Sequence, residues 1–148
     1  NRLGPTKLKS SDKSSWICTG KDGGVQALIW DFTNIFPSTN MINQVFYKRD
    51  LPAKPKDKVA LNLAHVPRGA YKMEVYKVGY RVNDAYDTYL DMGYPAQLTH
   101  AQVAEIKSKN SGAPIETRTV KIGHDGKFEQ QFDLRENDVV LVTLTPQK

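Results

Sequence analysis

Alternation of apolar and polar residues runs through most of this chain and changes period only once. In Val25-Gln26-Ala27-Leu28-Ile29-Trp30-Asp31-Phe32, one alternate set is Leu28, Trp30 and Phe32, and the other is Val25, Ala27 and Ile29. Successive side chains of a strand point to opposite faces. Apolar residues in both sets therefore predict a central strand covered on both sides. Ser14-Ser15-Trp16-Ile17-Cys18 predicts its partner, because Asp22-Gly23-Gly24 between the two tolerates the positive φ of a hairpin turn. Further on, Val59, Leu61 and Leu63 alternate with Ala60, Asn62 and Ala64, the mark of a half-buried strand over Lys58 to Val66. Ala70 to Tyr80 is rich in β-formers, and Pro67-Arg68-Gly69 reads as a tight turn joining the two into a hairpin. Within the irregular stretch from Thr33 to Pro55, Gln44 to Lys48 predicts one more strand.

The period changes between Arg81 and Gly112. Asn83-Asp84 can cap a short helical turn that puts Tyr86, Tyr89 and Leu90 on one face and ends at Gly93 and Pro95. Thr99 and Gln102 have the spacing of a capping box, and Leu98 can staple to Val103. That predicts a helix running to about Lys109, whose lysines suit the negative end of the helix dipole. After Gly112, Glu116 to Ile122 and Lys127 to Leu134 flank His124-Asp125-Gly126, which reads as a second hairpin, and Asp138 to Thr145 is an apolar closing strand. About seven or eight short strands with regular turn signals predict a mainly β fold, an antiparallel β-sandwich with one short helical insertion. One domain over 1–148 is expected, with 1–13 a linker or edge strand and 83–110 the insertion.

Composition narrows the function classes. The length of 148 residues suits one domain with its own core. The net charge is +5, yet basic and acidic residues are interleaved, as in Lys72-Met73-Glu74 and Arg135-Glu136-Asn137-Asp138. Lys54, Lys56 and Lys58 cluster in one loop, but no continuous basic stripe or reading motif emerges, so no nucleic-acid partner is expected. No apolar run approaches the length of a membrane span, and no membrane partner is expected. A single cysteine, Cys18, offers no intrachain disulfide and reads as a small buried hydrophobe. The first residue is Asn1, not Met, which fits removal of a signal peptide from a bacterial-type periplasmic or secreted protein, or excision of a domain, the protein being otherwise cytoplasmic. The compartment stays open.

Candidate chemistry is sparse. His65, His100 and His124 have no second His or Cys at ligand spacing, so no metal site is expected. Asp84, Asp87 and Asp91 lack the loop glycine of a calcium motif and read as capping and solvated residues. No glycine-rich loop precedes a helix, and no cofactor is expected. Glycoside hydrolysis needs two carboxylates facing each other across a cleft, a pairing that 16 acids in a sequence cannot reveal. The aromatics are the suggestive set. Sugar C–H faces stack on rings, and Tyr80, Tyr86, Tyr89 and Tyr94 fall in one short irregular stretch, with Trp16 a further candidate for carbohydrate binding. Packing of the insertion onto the sheets would use the same tyrosines.

Several segments taken together resemble the C-terminal region of family 39 glycoside hydrolases, the β-xylosidases and the similar α-L-iduronidases. They are Trp16-Ile17-Cys18, Gly24 to Phe32, Asn43-Gln44-Val45-Phe46-Tyr47, Tyr80 to Tyr86, Leu90 to Pro95, Leu98 to Val103 and Arg135 to Val142. The resemblance implies a catalytic (β/α)8 barrel with an attached β-sandwich, the two catalytic glutamates lying in barrel motifs. One of those motifs, Asn-Glu-Pro, does not occur here, and the chain is too short for a barrel. No catalytic residue carries over, and the chain is expected not to be an enzyme by itself. Its expected partners are xylan or xylo-oligosaccharide, held as by a carbohydrate-binding module, and the barrel of a parent chain. The alternative is a structural domain that braces the barrel and shapes its active-site rim without binding sugar.

Overall fold

The computed structural model describes residues 3–20, 22–33, 50 and 52–147. The expected strand at Gln44 to Lys48 lies outside them. Eight strands and two helices follow in chain order: β1 Thr6–Lys7, β2 Ser15–Thr19, β3 Val25–Trp30, β4 Pro55–Leu63, β5 Gly69–Val78, α1 Ala85–Asp91, α2 His100–Lys109, β6 Glu116–Ile122, β7 Phe128–Arg135 and β8 Val139–Pro146. The fold is mainly β, and all pairings among the described strands are antiparallel. One sheet has the order β1-β2-β3-β8-β5-β6, and β4 pairs with β7 in a second.

The two sheets share one apolar core. Residues paired across antiparallel strands point to the same face, so the register fixes what faces inward. Ile17, Ala27, Val142 and Val75 form one inward row across β2, β3, β8 and β5. Val25, Leu144 and Met73 form the next. Leu61 of β4 and Phe128 and Leu134 of β7 belong to the same buried cluster. Arg118 of β6 also donates to Gln130 of β7, a polar link between the sheets.

The β2–β3 hairpin forms as the glycine turn predicts. The other two expected hairpins do not form. β4 pairs with β7 rather than with β5, and β6 pairs with β5 rather than with β7. Both turns instead carry the chain from one sheet to the other. His65 takes a left-handed conformation in the first (φ 61°) and Gly126 in the second (φ 63°). Val66 N–H donates to the Gly126 carbonyl at 2.9 Å and straps the two crossovers together.

At the other end of the fold lies an ion pair whose carboxylate is fully buried and whose lysine is half-buried. The side chain of Asp138 is 0% exposed and sits 2.6 Å from Lys77 Nζ. Its Oδ2 also accepts from Arg135 N–H at 2.6 Å. Gly79 makes room for this carboxylate, since a Cβ there would lie 1.8 Å from Asp138 Oδ1.

The 83–110 stretch carries both helices. Asp84 caps α1 and accepts from Tyr86 N–H at 2.9 Å. Thr99 caps α2 with the full capping box, and the helix spans His100–Lys109, close to the sequence expectation. The buried residues of α1 are Asp87 and Thr88, while Tyr86, Tyr89 and Leu90 are half-buried. α2 has no buried residue. Asn110 Nδ2 donates to Thr88 Oγ1 and ties the end of α2 back to α1.

Candidate functional site

The outward face of the six-stranded sheet is divided along the strands. At one end, Trp16, Leu28, Leu141 and Tyr76 form a row across β2, β3, β8 and β5. Trp30, Val139 and Val78 form the next row on β3, β8 and β5. Trp16 is 43% exposed, Val139 39% and Val78 55%, and just beyond β3 Phe32 is 83% exposed. At the other end the rows turn polar, with Gln26, Thr143 and Glu74, then Thr145 and Lys72. The sequence predicts a strand covered on both sides. β3 is central, but only Val25, Ala27 and Ile29 are buried, whereas Leu28 and Trp30 stay half-buried. Chain from within the described residues does not fully cover the outward set.

The five aromatics expected to bind sugar do not share one platform. Trp16 lies three strands from β5, roughly 14 Å at ordinary strand spacing. Lys7 Nζ stands 4.0 Å from the centre of its ring. Tyr80 follows β5, has the Arg81 guanidinium 5.6 Å from its ring centre and donates its hydroxyl to Asp50. Tyr86 is half-buried on α1, and Tyr89 donates its hydroxyl to the Pro95 carbonyl at 3.1 Å. Tyr94 is 49% exposed and left-handed in φ (41°).

Arg81 organises the ground beneath these tyrosines. Its backbone N–H donates to Asp87 Oδ2 at 2.7 Å, and its guanidinium binds Asp91 through both carboxylate oxygens and Asp50 through one. Those bonds raise the Arg81 pKa, Asp91 contributing most, and the Arg81 hydrogen bond lowers that of Asp50. Asp87 goes the other way. Burial pushes its pKa up, and the neighbouring Asp84 adds to the rise against the Arg81 N–H.

A cleft of about 510 Å³ opens between the β2–β3 side and β4. Ile17, Ile29, Leu61 and Leu134 line it, and Asp12 is the one carboxylate on its wall among the described residues. Asp12 is tied up by Ser10 and Ser15, both donating at 2.7 Å, which holds its pKa below the usual carboxylate value. Among the described residues no group of three or more His, Cys, Asp or Glu is placed to hold a metal ion. Cys18 is buried, its Sγ 3.8 Å from Gln26 Oε1.

No protein-family model and no curated protein sequence matches the chain. Solved structures do. A GH39 enzyme from Xanthomonas axonopodis pv. citri superposes with a TM-score of 0.88 at 34% identity, over 98% of this chain and 28% of its own. The chain matches a part of a family 39 glycoside hydrolase. A monomeric β-xylosidase from Caulobacter crescentus CB15 agrees at a TM-score of 0.87 and 27% identity, over 99% of this chain and 29% of the enzyme. A bacterial orthologue of human α-L-iduronidase shares the fold, with a TM-score of 0.63 and 15% identity over 90% of this chain. The family 39 likeness thus takes in nearly all of this chain, which spans under a third of the enzymes' own length.

Proposed function

We propose that this chain is a non-catalytic accessory domain of a family 39 glycoside hydrolase, and that it braces the enzyme's catalytic body rather than gripping polysaccharide. The accessory role is supported by the match of nearly the whole chain to under a third of the enzymes. The observation that carries the choice of bracing over sugar binding is the scatter of the rings. Trp16 lies three strands from β5, and Tyr80, Tyr86, Tyr89 and Tyr94 lie beyond the end of β5, so the five offer no common platform on which a sugar chain could stack. The similar Caulobacter enzyme is a monomer, which favours an apolar surface satisfied within one polypeptide over one satisfied by a second copy.

The test uses the chain as it stands. Affinity electrophoresis in xylan gels at low and high salt should show no retardation, and a nitrophenyl xyloside should not be turned over. Retardation that disappears in Trp16→Ala would replace bracing with carbohydrate binding at the outward face. Turnover by contaminant-free protein would end the non-catalytic reading.

A further inference from the structure

We infer that the apolar end of the outward sheet face is the seat of the remainder of the enzyme polypeptide, an intramolecular interface centred on Trp30, Val139 and Leu28. The inference rests on the accessory-domain reading above and adds where the contact is made. Three observations bear on it.

The face is built, not scattered. Trp16, Leu28, Leu141 and Tyr76 lie side by side through direct strand pairing, and Trp30, Val139 and Val78 lie beside them in the next row. Single exposed apolar residues need no explanation, but a contiguous patch on a sheet marks a contact surface. The patch also has a boundary. Two residues further along the same strands stand Gln26, Thr143 and Glu74, with Lys72 bound to Glu74 at 2.7 Å. In that row Cys18 and Thr143 are buried and Gln26 and Glu74 half-buried, and the exposed polar border is Thr145 and Lys72 beyond it. The apolar centre thus stands beside a polar margin, as in an interface.

The occupant follows from chain length. The Xanthomonas and Caulobacter chains superpose on this one over only 28% and 29% of their own lengths, so most of each polypeptide lies outside the matched part. A tethered partner meets the patch at an effective concentration near the millimolar range. Interfaces between domains of one chain are modest in size and need no more than such a patch with its polar margin.

Hydroxyl-radical footprinting of this chain alone and of the full enzyme polypeptide that carries it tests the assignment. Labelling of Trp16, Trp30, Val78 and Val139 should fall severalfold in the full polypeptide, while Lys58 and Asn62 on β4 stay equally labelled in both. A second measurement guards against misfolding. Val139→Thr, which keeps the β-branched shape at a position 39% exposed, should leave the melting temperature of the chain alone nearly unchanged and should lower that of the full polypeptide. Equal labelling of the four residues in both samples would overturn the interface and leave the accessory role standing. Protection in the chain alone that grows with its concentration would give the face to a second copy and overturn it too. Protection of Trp16 by xylan in the chain alone would sink the bracing reading itself.

Discussion

Leu141 and Val142 are consecutive residues of β8 with different surroundings. Val142 is 1% exposed in the shared core, between Ala27 and Val75, whereas Leu141 faces outward beside Leu28 and is only half-buried. The same split recurs on β3, where Ile29 is inside and Trp30 outside. Both faces of this sheet are apolar at that end, but only one is closed by the β4–β7 pair. A strand that is apolar on both sides therefore meets two different surroundings: one face is sealed in the shared core, and the other stays half-buried.

The sharpest way to break that contrast is at the edge of the inward face. Lys77→Met would leave Asp138 charged and unpaired in a fully buried position. Urea unfolding should show a loss of about 3–5 kcal/mol, as for other broken buried pairs. Met73→Ala on the inward face of β5 should cost about 2–5 kcal/mol by the same measurement, since Met73 is fully buried. Val139→Ala on the outward face should stay within about 0.5 kcal/mol in the isolated chain. Similar losses at Met73 and Val139 would mean that the outward face is also core.

The insertion offers a smaller effect. Thr99→Ala removes the side-chain half of the α2 capping box, leaving the residue's backbone N–H still able to donate to Gln102, and should cost about 1 kcal/mol. Because α2 has no buried residue, the loss should show as faster amide exchange within α2 more than as a shift in global unfolding. The last effect is one of sign. Burial raises the folded-state pKa of Asp87 above its unfolded value. The folded protein then holds that proton more tightly, so the contribution of Asp87 is greatest below the usual carboxylate range and is lost as pH rises through the raised pKa. Asp87→Asn, whose amide oxygen can still accept from Arg81 N–H, should remove that fall and give a flatter melting-temperature profile across mildly acidic pH.

Local signals in the sequence were sufficient for most elements of the described residues, the expected strand at Gln44 to Lys48 lying outside them. Thr99 and Gln102 set the start of α2, and the glycine turn after β2 set the first hairpin. Pairing was less legible. Alternation in β4 and β5 says which side of each strand is buried, not which sheet it joins, and Pro67-Arg68-Gly69 suits a crossover as well as a hairpin. The choice is settled by contacts remote in sequence, such as Val66 with Gly126. For the outward face, the set Leu28, Trp30 and Phe32 is plain in the sequence. Its continuation onto Val139 and Val78 requires the strand order, which no local pattern encodes.

The place of β8 has a consequence for synthesis. It lies between β3 and β5 in the six-stranded sheet although it follows the other seven described strands. As the ribosome releases the chain, β2 and β3 can close as a hairpin early, and β5 can pair with β6. The facing edges of β3 and β5 then wait, unpaired, for β8 to emerge. Unpaired edges of apolar strands recruit other chains. The nascent protein thus passes through a window in which two halves of one sheet sit open, and the arrival of Val139–Pro146 closes it.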